Sequence, residues 1–184
     1  MRILGGTLKG RTLAAHVATG TRPTTDAMRE SLFATLEAYI DWTDCVVLDC
    51  FSGTGALGFE ALSRGAAHCT FIDSNSSMCR ALHQNASALG CADRCTILND
   101  DVLRVLALHQ GRFDAVFCDP PYDLRTCNQV LRELHNRKSV TSDGLFIAEH
   151  DEREVVVAIE GWERRTARKR GGTVIDIVQF TSTP

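Results

Sequence analysis

Two short stretches of this chain carry the residue types that chemistry needs. The first, Asp119-Pro120-Pro121-Tyr122, follows the apolar run 113–118. Successive prolines stiffen the backbone and remove two N–H donors, which leaves carbonyl oxygens free to accept. The Asp119 carboxylate and the Pro120 carbonyl offer two fixed acceptors, and the Tyr122 ring offers a flat surface. Such a set suits a planar NH2 group. In the exocyclic amine of a nucleobase the lone pair is delocalised into the ring, and holding both N–H bonds encourages the nitrogen to pyramidalise and face an electrophile. The protein then contributes orientation and electrostatics. The competing reading is a proline turn with an incidental aspartate. Its place at a strand end, downstream of a glycine loop, speaks against that.

The second stretch is the glycine loop. An apolar run ends at Asp49 and leads through Cys50-Phe51-Ser52-Gly53-Thr54-Gly55 into the next helical segment. Gly53-x-Gly55-x-x-Gly58 satisfies the dinucleotide fingerprint, with Asp73 following at the end of the second apolar run. That reading puts a pyrophosphate on the helix N-terminus and a ribose hydroxyl on Asp73. The loop itself argues otherwise. Four residues, Asp49 to Ser52, stand before the first glycine, and a carboxylate there repels phosphate while suiting a cationic ligand with an amino group. Asp100 and Asp101 close the third apolar run. Either can accept from an adenine amine or merely cap the helix that follows, and one residue can do both.

These residues need a scaffold that gathers strand ends. Short apolar runs at 45–48, 69–72, 95–98, 115–118 and 145–148 alternate with helix-like segments at 56–64, 76–89, 102–108 and 126–137. Continuous apolar strands separated by helices indicate a parallel sheet covered on both faces. Two further strands, 155–159 and 174–180, are expected to close the sheet antiparallel, joined by a basic segment containing Trp162. Ahead of the sheet, glycines at 5, 6 and 10 predict a small hairpin, and a helical period begins near Thr24 or Thr25, either of which can cap it. Met28, Leu32, Phe33 and Leu36 form its apolar face, with Arg29, Glu30 and Glu37 assigned to the other. The expected architecture is a doubly wound α/β domain over 41–184 with an N-terminal hairpin and helix extension over 1–40.

The chain has 184 residues, enough for a sizeable core, and 44% hydrophobic content excludes a disordered chain. No apolar run is long enough to span a membrane, and the N-terminus lacks a leader-like apolar segment, so a cytoplasmic protein is expected. The eight cysteines include no CxxC pair and mostly sit in or beside apolar runs, which predicts buried reduced thiols and no metal. Net charge is −3, yet residues 1–30 hold five bases against two acids and residues 153–172 six against three. Two basic patches on an acidic chain are either solvated surface or a polyanion footprint.

The loop Asp49-x-Phe51-x-Gly53-x-Gly55 resembles the cofactor loop of S-adenosylmethionine-dependent methyltransferases, and Asp119-Pro120-Pro121-Tyr122 resembles the signature of enzymes that methylate planar amino groups. The N-terminal third narrows the family. Arg2-Ile3-Leu4-Gly5-Gly6, Lys9-Gly10-Arg11, Thr21-Arg22-Pro23-Thr24-Thr25-Asp26 and Arg29-Glu30-Ser31-Leu32-Phe33 resemble the bacterial 16S ribosomal RNA guanine-N2 methyltransferases, as do Glu60-Ala61-Leu62-Ser63-Arg64-Gly65-Ala66 and Asn85. The likeness runs from Arg2 to Phe180. One departure is Asp73, where the family usually carries Glu.

The resemblance implies a Rossmann-like methyltransferase sheet. It implies S-adenosylmethionine contacts from Asp49, Phe51, Gly53, Gly55, Asp73, Ser74, Asp101, Val102 and Asp119, and catalysis by Asp119, Pro120 and Tyr122. It also implies contacts to 16S RNA, within the 30S subunit or its precursor, from Lys9, Arg11, Arg22, Thr24, Thr25, Arg29, Arg168, Lys169 and Arg170. Arg22 can instead pin the extension to the core, and Glu149 and His150 either line the pocket or form a structural pair. A monomer is expected, acting on an exposed or flipped guanine. The rival readings are an adenine-N6 methyltransferase, an RNA-binding assembly factor without turnover and, more weakly, a nicotinamide oxidoreductase.

Overall fold

The structure, a computed structural model, describes residues 1–14, 26–121, 126–157, 159–170 and 172–181. Arg22, Thr24, Thr25 and Tyr122 lie outside the described residues, as does the side chain of Arg170.

Seven strands form one sheet: β1 (Val46–Cys50), β2 (His68–Ile72), β3 (Cys95–Leu98), β4 (Phe113–Cys118), β5 (Val140–Asp151), β6 (Trp162–Arg170) and β7 (Thr173–Phe180). Their order is β3-β2-β1-β4-β5-β7-β6. The first five pair in parallel, and β7 runs antiparallel to both β5 and β6. Helices α1 (Asp26–Leu36), α2 (Ala56–Arg64) and α3 (Ser76–Leu89) cover one face, and α4 (Val102–Leu108) and α5 (Cys127–Arg137) the other.

The apolar strands are continuous because each faces two cores. Val47, Ala115, Phe117 and Ile147 pack with α1, α2 and α3, while Leu48, Val116, Cys118 and Phe146 pack with α4 and α5. A period of two sorts alternate residues to opposite faces, so a strand buried on both sides has no polar phase. All eight cysteines are unpaired thiols; seven are buried, and Cys95 is half-buried.

Four expectations need correction. Residues 155–157 and 159 form no strand; the closing hairpin is β6 with β7, and the basic segment is itself β6. An edge strand needs no apolar partner on its outer side, so it tolerates bases that discourage further pairing. β5 is also longer than its apolar run, extending back to Val140 across an irregularity against β4. Among its described residues, 1–14 of the N-terminal extension form a turn-rich fold-back with one antiparallel bridge, Arg2 to Thr12, rather than a ladder.

Arg29 is the fourth correction. It is 1% exposed, and its guanidinium donates to the Arg2 carbonyl at 2.7 Å and to Asp26 at 3.0 Å. Positions 29, 32, 33 and 36 share one helical stripe, so the charge lies on the buried face of α1 and not on the polar one. A residue so enclosed cannot contact RNA; it ties the extension to α1. Arg29→Ala should lower the free energy of urea unfolding by about 2 kcal/mol, through lost packing and an orphaned carbonyl. Lys9→Ala, at an exposed position, should change it by less than about 0.5 kcal/mol.

Candidate active site

The site is assembled at the carboxyl ends of β1 to β5. β1 leads into a loop in which Phe51 takes φ 58°, a left-handed conformation uncommon for a side-chain-bearing residue. Ser52 locks this turn: its hydroxyl lies 2.5 Å from the Asp49 carbonyl and accepts the Ile72 N–H at 2.9 Å. Gly53 follows at φ 53°, where an added Cβ would meet nothing within 4 Å, so the loop presents bare backbone to open space. Gly58 serves packing instead, because a Cβ there would come within 2.4 Å of Phe71 and 2.6 Å of the Cys69 sulfur.

Asp49 is 3% exposed and accepts the Gly58 N–H at 3.0 Å. The helix cap, Gly55, has no side chain to satisfy the first-turn N–H groups, and Asp49 supplies the acceptor from across the loop. Burial pushes the Asp49 carboxyl up to about 8; the Gly58 N–H opposes this, and the charge of Asp73 adds to it. Asp73 binds two backbone donors, Gly53 N–H and Asn75 N–H, each at 2.8 Å. Ser74 beside it is exposed. Asp101 caps α4, accepting the Arg104 N–H at 3.0 Å, and Val102 is the buried first residue of that helix. Asp100 accepts the Asp101 N–H and pairs with Arg104.

Cys118 pairs with Cys50 on one side and Ala148 on the other, so Asp119 leaves the sheet between the ends of β1 and β5. Burial drives its carboxyl well above the usual range, with the charges of Glu149 and then Asp49 adding to the effect. Pro120 is buried and Pro121 exposed. The glycine loop and the Asp-Pro-Pro segment therefore meet where the strand order reverses, the crevice in which open α/β sheets bind ligands. A buried Asp49 with an N–H for a partner, and further carboxylates at the ends of β2, β3 and β4, make this crevice hostile to pyrophosphate. The donor set fits a cationic sulfonium ligand such as S-adenosylmethionine.

A family model described as conserved hypothetical protein 95 matches residues 1–179. Ribosomal RNA small subunit methyltransferase D of Haemophilus influenzae is 33% identical over 165 residues, covering 88% of this chain and 84% of that one. The Escherichia coli (strain K12) protein of the same name is 35% identical over 151 residues, covering 82% and 75%. The chain belongs to this ribosomal RNA methyltransferase family. The solved structure of yhhF from Escherichia coli agrees over 100% of this chain and 99% of that one, with a TM-score of 0.89 and 29% identity.

The remaining family-derived positions are dispersed. Lys9 is exposed, and Arg11 donates to the Ala88 carbonyl at the end of α3. Arg168 crosses from β6 to the Ser31 hydroxyl of α1 at 2.7 Å, and Lys169 pairs with Glu152. A cavity of about 230 Å³ between α1 and the β6–β7 hairpin is lined by Met28, Ser31, Arg168 and Ile175, and none of the glycine-loop residues nor Asp119 contributes to it. His150 resolves as structural: its ring lies 2.9 Å from Asp176, both being 2% exposed. Among the described residues no cluster of His, Cys, Asp or Glu suits a metal ion, and no helix is long and apolar enough to cross a membrane.

Two residues gain a position that spacing did not reveal. Asn85 of α3 accepts the Ala14 N–H at 2.8 Å and donates to the Thr54 carbonyl at 3.1 Å, joining the extension to the glycine loop. Asn99 donates to the Asp73 carbonyl at 2.9 Å.

Asp49 gives the site a pH dependence with a definite sign. Below about 8 it holds a proton in the unliganded protein, and a cation binding beside it must expel that proton. S-adenosylmethionine affinity, measured by calorimetry, should tighten as pH rises from 6 to 8, by at most about tenfold per pH unit, and level off above. Asp49→Asn should flatten the profile.

Proposed function

We propose that this chain methylates the exocyclic N2 amine of a guanine in 16S ribosomal RNA, using S-adenosylmethionine, on the 30S subunit or its assembly intermediate. The observation that carries the reading is the seat of Asp119, between β1 and β5 and beside the glycine loop. When bound, S-adenosylmethionine supplies an electrophilic methyl group on a positively charged sulfur. Asp49 and Asp73 at the ends of β1 and β2, Phe51 and Ser74 beside them, the open backbone at Gly53 and Gly55, and Asp101 with Val102 at the start of α4 would hold it.

The acceptor is held by the chain itself. The Asp119 carboxylate and the Pro120 carbonyl take the two N–H bonds of the amine, so its lone pair leaves the plane of the base. Tyr122 stacks on the ring. A carboxyl whose proton affinity is raised by burial and by the charge of Glu149 is also equipped to take the proton that the nitrogen sheds, and to pass it to water. Lys9, Arg11, Arg168 and Lys169, together with Arg22, Thr24, Thr25 and Arg170, contact phosphates and position the RNA without choosing the base. The separation of Lys9 and Arg11, near α3, from Arg168, at α1, suits a substrate that spans the α1–α3 face.

Asp119→Ala should abolish methyl transfer while leaving S-adenosylmethionine binding within about threefold, since the cofactor loop keeps its own bonds. The test is to incubate the protein and the variant with labelled methyl donor and 30S particles, 16S RNA or DNA, then digest and identify the nucleoside. N2-methylguanosine from RNA is the expected product. Labelled adenine, or equal loss of binding and transfer in the variant, would refute the assignment.

A further inference from the structure

The carboxyl ends of β1, β4 and β5 carry three acidic residues on one face. On β1, Val47 packs toward α1–α3 and Leu48 toward α4–α5, so Asp49 returns to the α1–α3 side. On β5, Ile147 faces α1–α3 while Phe146, Ala148 and His150 face away, which puts Glu149 on the same side as Asp49. Asp119 follows Cys118, and Cys118 pairs with Ala148 in parallel register, so Asp119 and Glu149 emerge side by side on neighbouring strands about 4.8 Å apart. Asp49 is spent on the α2 N-terminus and the cofactor loop, and Asp119 on the amine. Glu149 has not entered the chemistry described so far, although after burial itself its charge has the largest effect on the Asp119 carboxyl.

We infer that Glu149 is the residue that selects guanine, its carboxylate accepting the N1–H of the base whose N2 amine is held by Asp119 and Pro120. The inference rests on the guanine-N2 reading and deepens it. Guanine presents two adjacent donors, N1–H and N2–H, on its Watson–Crick edge, and two neighbouring carboxylates offer the complementary pair of acceptors. Adenine presents a lone pair at N1 instead, which a carboxylate in that position repels. A flipped base is read through this edge, and a site built to receive an N–H rejects an analogue lacking it, because the buried acceptor is left unpaired. A charged acceptor enlarges the penalty. His150, one residue on, cannot share the task, since it points to the opposite face and is taken by Asp176.

The test removes the N1–H of the substrate, and with it O6, and then one side chain of the enzyme. Once the methylated position has been mapped, 16S RNA is assembled with guanine or 2-aminopurine at that position; 2-aminopurine keeps the 2-amino group and lacks both N1–H and O6, and the part of the preference that depends on Glu149 reports on N1–H. With the unmodified enzyme, kcat/KM should fall about 100-fold on 2-aminopurine. In Glu149→Ala the two substrates should lie within about threefold of each other, both slow, while S-adenosylmethionine binding and the circular dichroism spectrum are retained. Glu149→Gln keeps a neutral oxygen acceptor and should show a preference between the two. A preference of full size in Glu149→Ala, or its absence in the unmodified enzyme, would overturn the inference. So would a full-size preference in Glu149→Gln if the alanine variant fails to fold. Nucleoside analysis of the guanine substrate separates the two levels: a product other than N2-methylguanosine sinks the base assignment, whereas N2-methylguanosine with unchanged discrimination in the variants sinks Glu149 alone.

Discussion

The arrangement depends on a concentration of carboxylates at one end of a parallel sheet. Asp49, Asp73, Asp119 and Glu149 issue from β1, β2, β4 and the end of β5, and each raises the cost of ionising a neighbour. Nothing about folding rewards that placement. It persists because each acid near the loop has backbone donors to bind: Gly58 N–H for Asp49, and Gly53 and Asn75 N–H for Asp73. These bonds hold the loop in shape as they hold the acids, so on the proposed reading the residues that would meet the cofactor also build its seat. Buried charge that is only partly compensated is costly to stability and is retained where a site needs it.

The N-terminal extension is part of this construction. Its first fourteen residues reach α2 through Glu60, which accepts the Leu4 N–H at 2.7 Å, and through Ser63, which accepts the Leu8 N–H at 2.9 Å. Ile3 and Leu13 enter the same core as Phe33, Phe59 and Leu82. Asn85 then bonds the chain at Ala14 and the loop at Thr54 together. Lys9 therefore stands on a platform continuous with the cofactor loop, and a phosphate bound there is referenced to the same rigid body as the methyl donor. Positioning of this kind converts binding energy at a distance into alignment at the reacting atoms.

Much of this was legible in the residues. The alternation of apolar runs with helical segments located all five parallel strands, since a doubly buried strand leaves a block of apolar residues that few other structures require. The glycine loop and the Asp-Pro-Pro segment were legible because both depend on local backbone chemistry. What stayed hidden was tertiary. Arg29 carries a charge, and the Arg2 carbonyl and Asp26 help to make its burial tolerable. β6 contains five basic residues and no apolar alternation, and it is a strand because β7 offers it a ladder. Asn85 bonds partners at Ala14 and Thr54, and no local pattern announces such a contact.

The same crowding of acids ties the two ligands together. A positive charge within reach of both Asp49 and Asp119 favours ionisation of each, and so offsets the effect by which the charge of Asp49 raises the proton affinity of Asp119. An ionised Asp119 is a stronger acceptor for an amine N–H than a protonated one. On the proposed reading, a cationic donor bound within reach of Asp119 would therefore improve the site for the acceptor base, and by linkage the base would improve the site for the donor. The neutral thioether left after transfer carries no such charge, so the coupling is lost in the product complex. An acidic strand-end cluster in a doubly wound sheet thus does more than tolerate a sulfonium: it makes the affinity for one substrate depend on the charge of the other.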